Sequence, residues 1–245
     1  MTPRALPTIL AALALALFAA GAGAALRQRG EDEYVRGAAR RATTAAGARD
    51  FDSRVVALRD AVRAGVRNID FPAAGRPFLR DTAADTLRSG RGRCGEAARA
   101  FINMARAEGI PAQRLYLEGR VYAHVVVVVT APDGRRLIAD PTYLYFFDDV
   151  EPLADLARHA EFTRHWTFGW RRLGALRALP SHFVPLGPLV YFFENPHALL
   201  ACLCLLGSAA ALTASELLGR GLPRRARGKS DAGFALPAPL EGRGA

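Results

Sequence analysis

Gly92-Arg93-Cys94-Gly95-Glu96-Ala97-Ala98 is the stretch from which the rest of the chain is read. Gly90 and Gly92 give a pliable approach to it. The Ala-rich run over residues 96–109 has the composition of a helix, ended by Gly109 as a cap with Pro111 beyond. Cys94 therefore falls at a helix start. There, unpaired backbone N–H groups and the positive end of the helix dipole favour thiolate over thiol, and the thiolate is the nucleophile. The same N–H groups are placed to stabilise an oxyanion on a carbonyl.

After Pro111 the pattern turns from helical to extended. Strands are predicted over residues 113–118 and 122–130, then a turn at Pro132-Asp133-Gly134, then a third strand over 135–140. The turn makes the last two strands a hairpin, so His124, in Ala123-His124-Val125, and Asp140, in Ala139-Asp140-Pro141-Thr142, are near neighbours across it. Whether they share a face depends on register. An imidazole can take a thiol proton while a carboxylate orients its ring and stabilises imidazolium. Singly, each residue is ordinary: a cysteine packs as a small hydrophobe, a strand histidine as a hydrogen-bonded core residue, and Asp before Pro-Thr starts a turn. Their order, with a helix and a hairpin between them, is what carries a functional reading. Cys94, Cys202 and Cys204 have no zinc-type spacing and the histidines are scattered, so no metal site is expected.

Over residues 82–142 the chain resembles the transglutaminase-like superfamily. The resemblance rests on Gly92-Arg93-Cys94, on Arg106-Ala107-Glu108-Gly109-Ile110-Pro111-Ala112, on Ala123-His124 and on Ile138-Ala139-Asp140-Pro141-Thr142. It implies an α+β, papain/transglutaminase-like core in which a helix carrying the cysteine packs on an antiparallel sheet. It also implies Cys94 as nucleophile, His124 as general base and Asp140 as its orienting partner, acting on a peptide or protein amide without a cofactor. Two departures stand out: Val125 follows the histidine where many members carry an aromatic residue, and no side chain upstream of Cys94 is assignable as a second oxyanion donor. They motivate an alternative, a binding or scaffold module that kept the fold and lost turnover.

The second strong signal is location. Residues 6–26 form an almost unbroken apolar run behind Arg4, long enough to span a bilayer. Ala20-Gly21-Ala22 and Ala22-Gly23-Ala24 also offer signal-peptide cleavage patterns, so a removed leader competes with an uncleaved anchor. Residues 196–218 form a second apolar stretch, with Asn195 as cap and Pro196 at the first helical position. The aromatic and proline-broken segment 183–193 before it suits a membrane interface. Arg220, Arg224, Arg225, Arg227 and Lys229 follow the second stretch and predict a cytoplasmic C-terminus, which puts the middle of the chain outside a bacterial inner membrane.

These readings divide the chain into an anchor or leader (1–29), a transglutaminase-like domain (30–182), an interfacial segment with a span (183–219) and a basic tail (220–245). The chain has 245 residues and a net charge of +10. The tail's share of that charge suits anionic lipid, and no nucleic-acid motif accompanies it. Cys94 is the one cysteine between the spans, so no disulfide within the domain competes for it. Residues 27–50 read as a membrane-proximal linker or short helix. Val55, Leu58, Val62 and Val66 give a helix over 51–68 one buried face, and residues 151–159 read as a further short helix. Tyr143, Tyr145, Phe146 and Phe147 are placed to pack the core or to wall a cleft.

Overall fold

A computed structural model describes residues 5–69, 81–119, 123–142, 147–167 and 185–221 of the chain, with side chains to 219. In order, the elements are helices α1 (Ala5–Ala45) and α2 (Phe51–Gly65), strand β1 (Arg67–Asn68), helix α3 (Ala83–Ser89), strand β2 (Arg91–Gly92) and helix α4 (Cys94–Ala107). Strands β3 (Ala112–Gly119), β4 (Ala123–Thr130), β5 (Arg136–Ala139), β6 (Glu151–Pro152) and β7 (Phe162–Trp166) follow, then helices α5 (Val190–Glu194) and α6 (Pro196–Gly221). Tyr122, the aromatic residues Tyr143, Tyr145, Phe146, Phe168, Trp170 and Phe183, and the basic residues from Arg224 onward lie outside the described residues.

The sheet is antiparallel, in the order β6-β5-β4-β3-β7. Its central strand β4 holds five consecutive valines, a run without the alternation of a half-exposed strand. Burial on both faces explains it. Val127 and Val129 join the core under the helices, with Leu58, Phe101 and Met104, while Val126 and Val128 join a second cluster with Leu115, Ile138 and Phe147. Phe147 is thus core, stacked on Phe162 with ring centroids 6.1 Å apart.

Two expectations change. Residues 27–50, expected as a linker or short helix, are instead the second half of α1 as far as Ala45, a helix that runs unbroken from the apolar segment into the domain. The buried positions Ala14, Gly21, Ala24, Gln28, Glu31, Val35, Ala39 and Thr43 recur every three to four residues along one stripe. Few of them are large and apolar, and the stripe is therefore faint in a hydropathy reading. Its upper part packs Val35 and Ala39 into the main core. The helix expected over 151–159 is a short strand followed by a 3-10 turn, Leu153–Arg158. Pairing of Ile138 with Glu151 and of Leu137 with Pro152 takes up the start of that segment. The remainder closes as the 3-10 turn before β7.

Helices α1 and α6 are each long and apolar enough to cross a membrane. They lie against each other along small residues. Ser208 Oγ donates to the Ala14 carbonyl (2.7 Å) and Ser215 Oγ to that of Pro7 (2.8 Å), while Gly21 faces Leu205 and Cys204, and Gly207 faces Leu17. Small residues and hydroxyls of this kind let apolar helices approach closely where no hydrophobic drive exists. The large side chains Leu13, Leu15, Phe18, Leu203 and Leu206 point outward and are exposed.

Candidate active site

The approach to Cys94 is set by glycines. Gly90 caps α3 in the left-handed conformation (φ 63°), which a residue with a side chain adopts at a cost. At Gly92 a Cβ would lie 2.9 Å from that of Glu96 and 3.2 Å from Thr86 Cγ2. The close fit seats β2 against β1, with Gly92 opposite Asn68. Helix α4 then begins at Cys94 itself, two residues earlier than the Ala-rich run alone suggests. Glu96 helps set that start by accepting a hydrogen bond from the Arg93 N–H (3.0 Å). Ala97 N–H bonds to the Arg93 carbonyl, so the N–H groups of Cys94, Gly95 and Glu96 precede the helix's own ladder. The thiol is half-buried.

β4 and β5 pair with Val127 opposite Ala139 and Val128 opposite Ile138. Continued past the end of β5, this register puts His124 and Asp140 on a diagonal rather than face to face, a span within reach of long side chains. They meet: His124 Nε2 lies 2.8 Å from Asp140 Oδ2. Thr142 Oγ1 lies 3.3 Å from the same nitrogen, and Cys94 is among the groups that raise the ring's proton affinity. Of the three residues picked out in the sequence, His124 and Asp140 are thus in direct contact, and Cys94 stands at the start of α4.

Asp140 is buried, and its position is over-determined. Its Oδ1 accepts from the backbone N–H (2.9 Å) and the hydroxyl (2.6 Å) of Thr142, and its own carbonyl accepts from Arg63 Nε (2.8 Å). Arg63 also donates to the carbonyls of Asp148 (3.0 Å) and Phe147 (2.5 Å), tying the chain beyond Asp140 to α2. Burial pulls the Arg63 guanidinium below its usual range, aided by neighbouring Arg59. Burial likewise acts to lower the proton affinity of His124. The hydrogen bonds and negative charge of Asp140 and Cys94 outweigh it, and the imidazole is raised to about 9. The carboxylate of Asp140 thus favours a protonated ring.

Thr142 was in view only as part of the Asp-Pro-Thr turn, and an Asx-type turn is the signal that points to its role. Arg63 carried none, because it lies 77 residues from its carbonyl partner. Cys202 and Cys204 belong to α6, where Cys204 is buried against Gly21. The described residues contain no cluster of metal-ligating side chains.

Residues 37–141 match the family model of the transglutaminase-like superfamily, a segment that includes Cys94, His124 and Asp140. No curated protein matches. A candidate cysteine protease from Cytophaga hutchinsonii, known from a crystal structure, is 21% identical, with a TM-score of 0.37 over 55% of this chain and 49% of that one. The present chain thus spans about half the length of that protein.

Proposed function

We propose that the transglutaminase-like superfamily domain carried by this chain is a membrane-anchored, cysteine-dependent acyl-transfer enzyme acting on peptide or protein amides outside the cytoplasm. One observation carries the reading: a cysteine at the first position of a helix, beside a histidine whose Nε2 is 2.8 Å from a buried aspartate. The reacting form proposed is a Cys94 thiolate beside a protonated His124, whose proton Asp140 helps to hold. Cys94 Sγ attacks the amide carbon, and the carbonyl electrons move onto oxygen, where N–H groups of the first turn of α4 receive them. As the tetrahedral species collapses, the C–N bond breaks and His124 gives its proton to the leaving amine. Neutral His124 then takes a proton from water, for hydrolysis, or from an amine, for transamidation. The incoming oxygen or nitrogen releases the thioester and Cys94 leaves as thiolate. Asp140 keeps the ring oriented and the imidazolium stabilised throughout.

The anchoring half of the proposal is that α1 and α6 form an uncleaved antiparallel hairpin in a bacterial inner membrane, with both termini cytoplasmic. Its support is the outward-facing leucines together with the continuity of α1 into the core. Cleavage near Ala24 would cut one helix in two and remove the partner of Ser208 and Ser215.

A thiol-reactive acyl probe applied to the full chain in detergent tests the enzymatic half. Rapid labelling of Cys94, abolished in Cys94→Ala and sharply slowed in His124→Ala, is expected. Slow labelling indifferent to His124 would instead favour the binding or scaffold module.

A further inference from the structure

The ground behind Cys94 contains a buried ion cluster that the proposed chemistry does not use. Arg114 on β3 forks onto Glu194 of α5, with Nε to Oε1 and Nη2 to Oε2 both 2.5 Å. Arg99 of α4 approaches the same carboxylate at 3.5 Å and also donates to the Asp81 carbonyl. All three side chains are buried, at 5%, 3% and 2% exposure for Arg114, Glu194 and Arg99. Two guanidiniums thus share one buried carboxylate. Burial opposes the charge on Arg114, and Glu194 overcomes it, holding the guanidinium above its usual range.

Arg114 also reaches the nucleophile's turn. A Cβ added to Gly95 would lie 3.2 Å from Arg114 Nη1, so the guanidinium rests against the residue that follows Cys94. Glycine at 95 is what permits that approach. Glu194, in turn, ends the short helix that leads through Asn195 into the apolar helix α6. Asn195 continues the junction: its Nδ2 donates to Asn103 Oδ1 of α4 (2.8 Å), and its Oδ1 accepts from Gln28 of α1 (3.2 Å).

We infer that Glu194, supplied by the membrane-side segment, seats Arg114 against the first turn of α4 and so makes Arg114 a positioning residue for Cys94. This rests on the acyl-transfer reading of Cys94. The fork fixes the guanidinium, and the guanidinium fixes the backbone at Gly95 and adds positive charge to the helix start where the thiolate sits. The charged or titratable groups around this turn are Arg93 and Glu96 of α4 itself, Arg114 and Tyr116 from β3, Glu194 from α5, and the His124–Asp140 pair. Arg114 joins the turn to the membrane side. The hairpin then helps to build the site as well as to tether it.

The test is the rate of iodoacetamide alkylation of Cys94 against pH, followed on the Cys94 peptide by mass spectrometry in the full chain in detergent, with melting measured in parallel. In Arg114→Gln the inflection is expected about one pH unit higher, a roughly tenfold slower reaction on the acid side. Arg114→Lys, which keeps the charge without the fork, is expected between that variant and wild type. Because Arg114→Gln strands Glu194 in the interior and can fail to fold, the double variant Arg114→Leu/Glu194→Leu removes both charges together, a replacement buried pairs tolerate well. It is expected to fold with a lowered melting temperature, since Arg99 also loses the carboxylate, and to show the same upward shift. A purely structural pair would lower the melting temperature and leave the profile in place. Folded variants whose profiles superimpose on wild type overturn the inference. If wild-type Cys94 itself alkylates slowly and without regard to His124, it is the acyl-transfer reading that has failed.

Discussion

The part-buried His124–Asp140 pair and the buried Arg114–Glu194 pair are both tightly hydrogen-bonded, yet they arise in different ways. The first lies across one hairpin, 16 residues apart, positioned by a turn and a strand register. The second joins residues 80 apart, and it exists only because the chain returns through α5 to pack beside α4. A hairpin can be read from alternation and turn residues, whereas a return across the fold leaves no local mark. The difference separates their consequences: changes in the hairpin pair should act on chemistry, and changes in the long-range pair mainly on folding and on the thiol's setting.

The largest effect expected is on turnover. His124→Ala should lower acyl transfer by about 10² to 10⁴ while leaving the melting temperature nearly unchanged, since general acid–base contributions have that size. Equal losses of activity and stability would erase the distinction between the pairs. Glu194→Leu alone should do the reverse, destabilising the chain by about 3–5 kcal/mol in chemical denaturation, because two arginines are left buried without their carboxylate.

Stability should also depend on pH through the hairpin pair. The folded value of His124 is raised, to about 9, above the ordinary histidine value of 6.5. Its contribution is therefore fully present below about pH 6.5 and disappears as pH rises through about 9. Melting curves across that window should show the loss in wild type and a flatter profile in Asp140→Asn.

Gly92→Ala sharpens the comparison from the backbone side. A Cβ 2.9 Å from Glu96 cannot be housed without moving the helix start, and overpacking of this kind costs about 1–3 kcal/mol. Slower Cys94 alkylation should accompany the lower melting temperature. Thr142→Val is the mildest, removing one of the hydrogen bonds that hold Asp140, worth about 1 kcal/mol. It should raise the pH sensitivity of labelling more than it lowers stability.

Much of the site was legible because its parts are local. A cysteine after glycines and before an alanine-rich helix, and a Pro-Asp-Gly turn between two β-rich runs, each specify geometry over fewer than twenty residues. The two apolar helices were equally plain. What escaped was whatever depended on packing between distant segments. The charged residues after position 26 suggest a linker by composition, yet Gln28 and Glu31 are buried against α6, where Glu31 meets His197 Nδ1 at 3.1 Å. Polar residues buried by a partner helix look like exposed ones until the partner is known. The short strand at Glu151 was missed for a related reason: pairing with β5 overrides a weak local preference.

The account turns on an activated Cys94–His124 pair, and the most direct test is the alkylation rate of Cys94 as a function of pH in the full chain, wild type against His124→Ala. The account predicts that wild type reacts much faster than the variant at neutral pH, with a change of rate near pH 9 as His124 loses its proton, and that the variant lacks that change. Two superimposable curves, both with the ordinary inflection, would contradict it.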